Sequence, residues 1–453
     1  MIDTALKCKA EGRETGTDRR SSAVTGSPLG IVTKNSSPYQ FVPFTDTGEA
    51  VPIEQQRDGS LRLVKLPEQA RAERWALKSV VNKLLPKSRT AKCMVYRQPM
   101  AGYGLAPIQV HVTCEHQKAF YTGLMACGSI WNCPICAAKV SERRRTELQD
   151  AMSAAKRLGW QAHFVTLTVP HGIGDDLKQI KLRQQKALSR ISSGKNSIKS
   201  QLLRNGITQH GYVRAYEITH TQNGFHPHFH IILFTSGCSS AQIQRLYAPA
   251  WQKACISVGL PRPSDKHGCT VQDGSEAAVY ASKWGIEDEL TKANQKQSKR
   301  KGITPWGLLR AVLDENNPDY PPEYAAKLFQ VYSACMKGAR QLHWSVGLRN
   351  ALALAPELTD EQLAEKITDE DSVYLAPITD EQWKAIRKAK AEAHVLTAAE
   401  AAHKTGANYF LEILNGYLKR SSPTDNGKGP PMGGKASGVS GRISHKARKL
   451  HLS

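Results

Sequence analysis

The chain lacks any uninterrupted run of about 18 apolar residues, the length a bilayer-crossing helix needs, and Met1 to Arg20 is polar and mixed in charge. The sequence therefore predicts neither a membrane span nor a secretory leader, and it predicts a cytoplasmic protein. It is also short of acid: 40 Asp and Glu stand against 62 Lys and Arg, a formal net charge of +22. That imbalance favours a polyanionic partner, nucleic acid above all. Ten cysteines in 453 residues do not make a disulfide framework, so clustered ones point to metal. A chain of this length can bury a large core and is expected to hold more than one folded unit.

Residues 1–70 lack periodicity and are rich in Ser, Thr, Gly and Pro (Ser21-Ser22, Asn35-Ser36-Ser37-Pro38), which predicts a disordered or variable region. A basic helix is expected from Ala70 to Leu85, with Trp75, Val80, Leu84 and Leu85 apolar. Next come Cys114, Cys127, Cys133 and Cys136, spaced C-x12-C-x5-C-x2-C. They supply enough thiolates for one tetrahedral structural zinc, with His116 as substitute ligand. Ser141 is expected to open a basic helix running to about Leu158. On it Arg143, Arg144 and Arg145 point in different directions, either as a phosphate clamp or as a solvated face.

His163 to Val169 is β-branched and apolar and reads as a buried strand ending at Pro170. The segments Tyr212–His220 and Phe225–Phe234 read as two strands joined at an Asn-Gly turn. On the second strand His226, His228 and His230 share one face, while Phe225, Phe229, Ile231 and Leu233 share the other, which faces the core. A two-residue Asn223-Gly224 loop would set Glu217 opposite His230, giving a compact N,N,O site for a divalent cation. Further on, a helix capped by Ser275 would align Glu276, Tyr280, Lys283 and Glu287 on one face.

These residues carry a resemblance. His228-Phe229-His230 within F-H-P-H-F-H-I-I-L resembles the His-hydrophobic-His motif of HUH endonucleases, in wording nearest the initiators of plasmid rolling-circle replication. The run Cys127 to Lys139 resembles the cysteine-rich segment upstream of their catalytic domain, and T-L-T-V-P-H resembles their first strand motif. Tyr280-Ala281-Ser282-Lys283 matches their Y-x-x-K, with Glu276 placed as in single-tyrosine initiators. The resemblance covers roughly residues 110–350. It implies an α+β fold, an HUH-type core with a central antiparallel sheet and helices on one face, preceded by a small zinc module. It also implies a metal-dependent endonuclease and strand transferase using Mg²⁺ or Mn²⁺. Tyr280 would attack origin DNA, leaving a 5′-phosphotyrosyl link and a 3′-hydroxyl primer, with Lys283 assisting and Glu276 activating water for termination. The partners would be origin DNA, double-stranded and as a single-stranded hairpin, and the host helicase and polymerase. A conjugative or mobilisation relaxase shares the site but usually carries its tyrosine N-terminal to the histidines. A non-catalytic zinc-containing DNA-binding regulator would explain only the cysteines and the charge.

The remaining features divide the chain. Leu290 to Gly302, with Lys299, Arg300 and Lys301, reads as a basic loop suited to DNA backbone. Thr304-Pro305 starts a helix, and Gln341 to Leu348 reads as a closing strand. Two capping boxes, Thr359/Gln362 and Thr379/Gln382, mark acidic helices. The expected units are 1–70, a basic helix and zinc module over 71–158, a catalytic domain over 159–350, a helical region over 351–420, and a flexible basic tail over 421–453.

Overall fold

The computed structural model describes residues 40–43, 50–55, 61–63, 67–100, 102, 104–283, 302–365, 371–405 and 408–421. The basic loop residues Lys299, Arg300 and Lys301, Glu287 and the C-terminal tail lie outside the described residues.

Within the stretch expected to lack regular structure, β1 (Gln40–Pro43), β2 (Ala50–Gln55) and β3 (Leu61–Leu63) form a small antiparallel sheet. Alternating Val51, Ile53 and Leu61, Leu63 are enough to nucleate strands in a composition that otherwise disfavours them. The basic helix follows as α1 (Pro67–Leu84), then α2 (Arg89–Lys92), the short pair β4 (Pro99–Met100) and β5 (Gly104–Leu105), and the hairpin β6 (Ile108–Thr113) and β7 (Ala119–Thr122). Helix α3 (Pro134–Arg157) begins seven residues before the expected Ser141. Pro134 at its first turn has the fixed φ a helix start wants and lacks an N–H that would go unpaired there.

Next come β8 (Gln161–Leu167), α4 (Leu177–Ser192), α5 (Ile198–Arg204), the long hairpin β9 (Thr208–Thr221) and β10 (Gly224–Ser236), α6 (Ser240–Ser257), β11 (Cys269–Gln272) and α7 (Gly274–Lys283). After these, α8 (Pro305–Leu313), capped by Thr304 as expected, and α9 (Pro322–Met336) lead to β12 (Leu342–Trp344) and α10 (Leu348–Ala351). The chain then forms α11 (Asp360–Glu365), β13 (Ser372–Ile378), α12 (Asp380–Lys388), α13 (Glu392–Thr405) and α14 (Asn408–Ser421).

The fold is α+β, as expected, and its centre is a five-stranded sheet in the order β11-β8-β10-β9-β12 with every pairing antiparallel. Period-two alternation gives it two apolar faces. Val165, Leu167, Tyr216, Phe229, Ile231 and Leu233 pack toward α4 and α6. Phe164, Val213, Ala215, Ile232 and Phe234 pack with α3 and with Ala277 of α7. Helices thus cover both faces rather than the one expected, because the face bearing the histidines is itself apolar over half its length.

The helical C-terminal region also carries one strand. Strand β13 pairs with β6, so a second sheet runs β13-β6-β7 and ties the end of the described chain to the cysteine-bearing region. Helix α13 backs it: Glu400 accepts from Arg71 of α1 and, at 2.9 Å, from the amide of Ala119. Both capping boxes are formed as the sequence predicts.

Candidate metal centre and tyrosine helix

The β9–β10 hairpin sets the site. Thr221 pairs with Gly224, so the two-residue loop is Gln222-Asn223, one position earlier than expected. Gly224 adopts φ +89°, and a Cβ there would lie 2.8 Å from the carbonyl oxygen of Gly172, so only glycine fits. Glu217 is consequently opposite His228, and Ala215 opposite His230. A pairing shift of two residues leaves every side chain on its expected face. The metal set survives the correction.

Pro227 interrupts a strand that its neighbours flank, which a central strand does not normally tolerate. Strand β8 pairs with β10 only from Phe229 onward, so no N–H is demanded of Pro227 on that side. Its carbonyl accepts from Nε2 of the fully buried Gln184, whose Oε1 takes the Tyr216 hydroxyl at 2.9 Å. The strand is thereby pinned from behind.

Glu217, His228 and His230 converge. One carboxylate oxygen of Glu217 lies 3.4 Å from Nε2 of His228 and 3.3 Å from Nε2 of His230. The opposite ring nitrogens are engaged: Nδ1 of His228 meets the carbonyl oxygen of His226 at 3.1 Å, and Nδ1 of His230 meets the Thr166 hydroxyl at 3.0 Å. Donation from Nδ1 to the His226 carbonyl leaves the Nε2 lone pair of His228 facing inward, the tautomer a metal ligand requires. Burial alone would raise the Glu217 carboxyl, but His230 and His228 outweigh it and hold the group well below the usual carboxylate range. The three ligand atoms lie within 4.8 Å of one another, and the group could hold a cation.

Tyr280 joins this group from α7. Its hydroxyl donates to the other oxygen of Glu217 at 2.6 Å, and its ring lies against Phe164 and His230. Burial first, then the Glu217 carboxylate, pushes the phenol well above its ordinary value. The helix begins at Gly274, so Ser275 sits in its first turn instead of preceding it. Glu276 is exposed in that turn, and Lys283 is the last described residue of the helix.

The cysteine group differs from expectation by one member. Cys127, Cys133 and Cys136 come together with Cys93, which follows α2, and not with Cys114. Sulfur separations are 3.4 Å for Cys93–Cys136, 3.7 Å for Cys127–Cys136 and 3.7 Å for Cys93–Cys133. A tetrahedron with metal–sulfur bonds of about 2.3 Å has edges of about 3.8 Å, so the four sulfurs are spaced for one tetrahedral ion. The close thiols of Cys133, Cys136 and Cys93 pull the Cys127 thiol far below its ordinary range, and its Sγ accepts from the Ser129 amide. Cys114 and His116 instead lie in the turn between β6 and β7, with His116 exposed. Local spacing could not reveal Cys93, because only the fold carries it across 34 residues to Cys127.

The arginine run is divided in use. Arg144 is 4% exposed and meets Glu147, Glu357, Asp360 and the carbonyl of Leu358, so it anchors α11 to α3 and is not available to a phosphate. Arg145 pairs with Glu142 on the same helix. Arg143 is half-buried beside them.

Comparison with known proteins matches this region. Residues 124–247 fit a family model described as a replication protein. The chain is 26% identical over 347 residues to a "Protein rep" of Streptomyces lividans, covering 61% of this chain and 76% of that one. It is 31% identical over 130 residues to a "Protein rep" of Lentilactobacillus hilgardii, covering 27% and 39%. A "Neomycin resistance protein" of Streptomyces cyanogenus is 28% identical over 142 residues, covering 26% and 32%. No solved structure matches significantly. The resemblance to replication initiators is therefore shown, and the matched segment holds Cys127, Cys133 and Cys136, β8 and the metal hairpin. Among the described residues, no helix is long and apolar enough to cross a membrane.

Proposed function

We propose that this chain is a rolling-circle plasmid replication initiator that nicks origin DNA through a single tyrosine, Tyr280. One arrangement carries the reading: Glu217 gives one oxygen to the Tyr280 hydroxyl and turns the other toward His228 and His230. A non-catalytic DNA-binding regulator has no use for a phenol held against a candidate metal ligand.

A divalent cation held by Glu217, His228 and His230, either Mg²⁺ or Mn²⁺, would supply charge stabilisation at the scissile phosphate. The chain's own residues do the rest. Glu217 orients the phenol oxygen, and Thr166 and the His226 carbonyl hold the two imidazoles in register. The Tyr280 oxygen bonds to phosphorus while the bond to the 3′-oxygen breaks. The phenol loses its proton, the 3′-oxygen gains one, and the result is a phosphotyrosine and a 3′-hydroxyl primer. At neutral pH the phenol begins protonated, so its ionisation is part of the barrier. Lys283, three residues along the helix, favours the phenolate or pairs with phosphate. Exposed Glu276 activates a water for the closing cleavage, so that termination releases the protein instead of forming a second link. The four buried cysteines hold a structural Zn²⁺, and the positive charge binds origin DNA, both duplex and single-stranded hairpin. Host helicase and polymerase then extend from the primer.

The test is a denaturing gel with a single-stranded origin oligonucleotide and added Mg²⁺ or Mn²⁺. The full chain should yield a DNA-linked protein band, and Tyr280→Phe should yield neither band nor nick. A variant that retains the covalent band would remove Tyr280 from the reaction.

A further inference from the structure

Behind the metal hairpin, on the opposite face of the central sheet, α4, β9 and β12 enclose a cavity of about 440 Å³. That volume lies within the range of small-ligand sites. Among the described residues no Asp or Glu lines it, whereas Lys181, Arg214 and Arg340 all do. A smaller cavity of about 100 Å³ shares Leu188, Ser192, Tyr212 and Arg214 with the first, and adds Lys199, again without an acid.

Among the described residues none of these cations meets a carboxylate. Lys181 is 9% exposed, and its ammonium donates to the carbonyl of Cys335 at 2.6 Å. The Arg214 guanidinium lies 5.7 Å from the centre of the Phe229 ring, and among the described residues neither it nor Arg340 meets a carboxylate. A charge withdrawn from water without a counter-ion, as the Lys181 ammonium is, is costly, and the half-buried Arg214 and the exposed Arg340 add positive charge at the same wall. Two further polar atoms on the wall, Oε1 of Gln341 and Nδ1 of His343, are buried without a partner. Tyr212 stacks near His343 at 6.1 Å and gives the cavity a flat aromatic wall.

Cations, an aromatic wall and unused hydrogen-bonding atoms together define the ligand. We propose that this cavity is a nucleotide-binding site, separate from the nicking centre, that takes a nucleoside phosphate with its phosphate on Arg214, Lys181 and Arg340 and its base along Tyr212 and His343. The nucleotide comes either as a free molecule or as one unit of a DNA strand. Because Tyr216 and Glu217 are consecutive in β9, an occupant touches the strand that carries the metal ligand.

Titration of the full chain in chelator, so that the Glu217–His228–His230 site cannot capture phosphate through a metal, tests this directly. The probes are a fluorescent deoxynucleoside triphosphate, inorganic pyrophosphate and a labelled single-stranded oligonucleotide. The variants are Arg214→Met and the exposed Arg340→Ser, with Lys186→Ser on the outer side of α4 as the control for lost charge. Saturable triphosphate binding that falls at least tenfold in both variants but less than twofold in the control supports a free nucleotide as occupant. The same pattern seen only with the oligonucleotide supports a strand. Tyr212→Leu should weaken whichever nucleotide probe binds and spare pyrophosphate. If both arginine variants bind every probe within twofold of the parent, or no more weakly than the control, the cavity is not a nucleotide site.

Discussion

At the scale of single residues, the site depends on second partners as much as on ligands. The Thr166 hydroxyl fixes the His230 ring, and loss of such an outer contact commonly costs ten- to a hundredfold in metal affinity. Thr166→Val keeps the branched shape, so it should raise the Mn²⁺ concentration needed for half-maximal nicking by about tenfold while leaving DNA binding unchanged. A metal titration of nicking checks this. On α7 the two acidic and phenolic roles should separate. Tyr280→Phe should lose the first cleavage, whereas Glu276→Ala should keep it and give longer-than-unit-length strands in a replication assay. If the glutamate variant loses the first nick as completely as the tyrosine variant, Glu276 belongs to initiation and its proposed role in termination fails.

At the scale of elements, the cysteine group gives the sharpest contrast. Cys93 at the end of α2 and Cys133 and Cys136 at the start of α3 share one tetrahedron, while Cys114 stands in the β6–β7 turn. Elemental analysis should find about one zinc per chain in the parent and in Cys114→Ser, and less than half that in Cys93→Ser. The reverse pattern would restore the ligand set read from spacing.

The same contrast shows what was legible in the sequence. The hairpin, its histidine face, the capping boxes at Thr359 and Thr379 and the helix carrying Tyr280 all rest on patterns within about a dozen residues, and those survive into the fold. The displaced turn at Gln222-Asn223 depends on how closely Gly224 approaches Gly172, a contact across the fold. The recruitment of Cys93, the burial of Arg144 and the pairing of β13 with β6 likewise depend on partners far away in sequence, for which no local period exists. Strand β13 also carries a register irregularity between Tyr374 and Ala376, which blurs its alternation.

At the scale of the whole molecule, buried histidines tie stability to pH. His220 is 4% exposed, meets the Tyr320 hydroxyl at 3.2 Å, and burial, aided by His171, lowers its pKa to about 4. The unfolded chain takes up this proton near pH 6.5, while the native state does not until about pH 4. The folded state is therefore fully competitive above pH 6.5 and loses ground as pH falls toward 4, by about 1–2 kcal/mol from this residue between pH 7 and 5. The melting temperature should drop over that interval, and His220→Gln should flatten the drop even if it is less stable at pH 7. An equal pH slope in both proteins would assign the effect elsewhere.

The pairing of β13 with β6 has a consequence in time. A nascent chain emerging from the ribosome exposes β6, β7 and the cysteines early, but residues 372–378, which complete that sheet, emerge only after the entire β9–β10 hairpin and Tyr280. Until then the β6 edge is an open template for strands of other molecules. Early zinc capture, needing nothing beyond Cys136 of the chain, would hold that half-built module together while the rest is made.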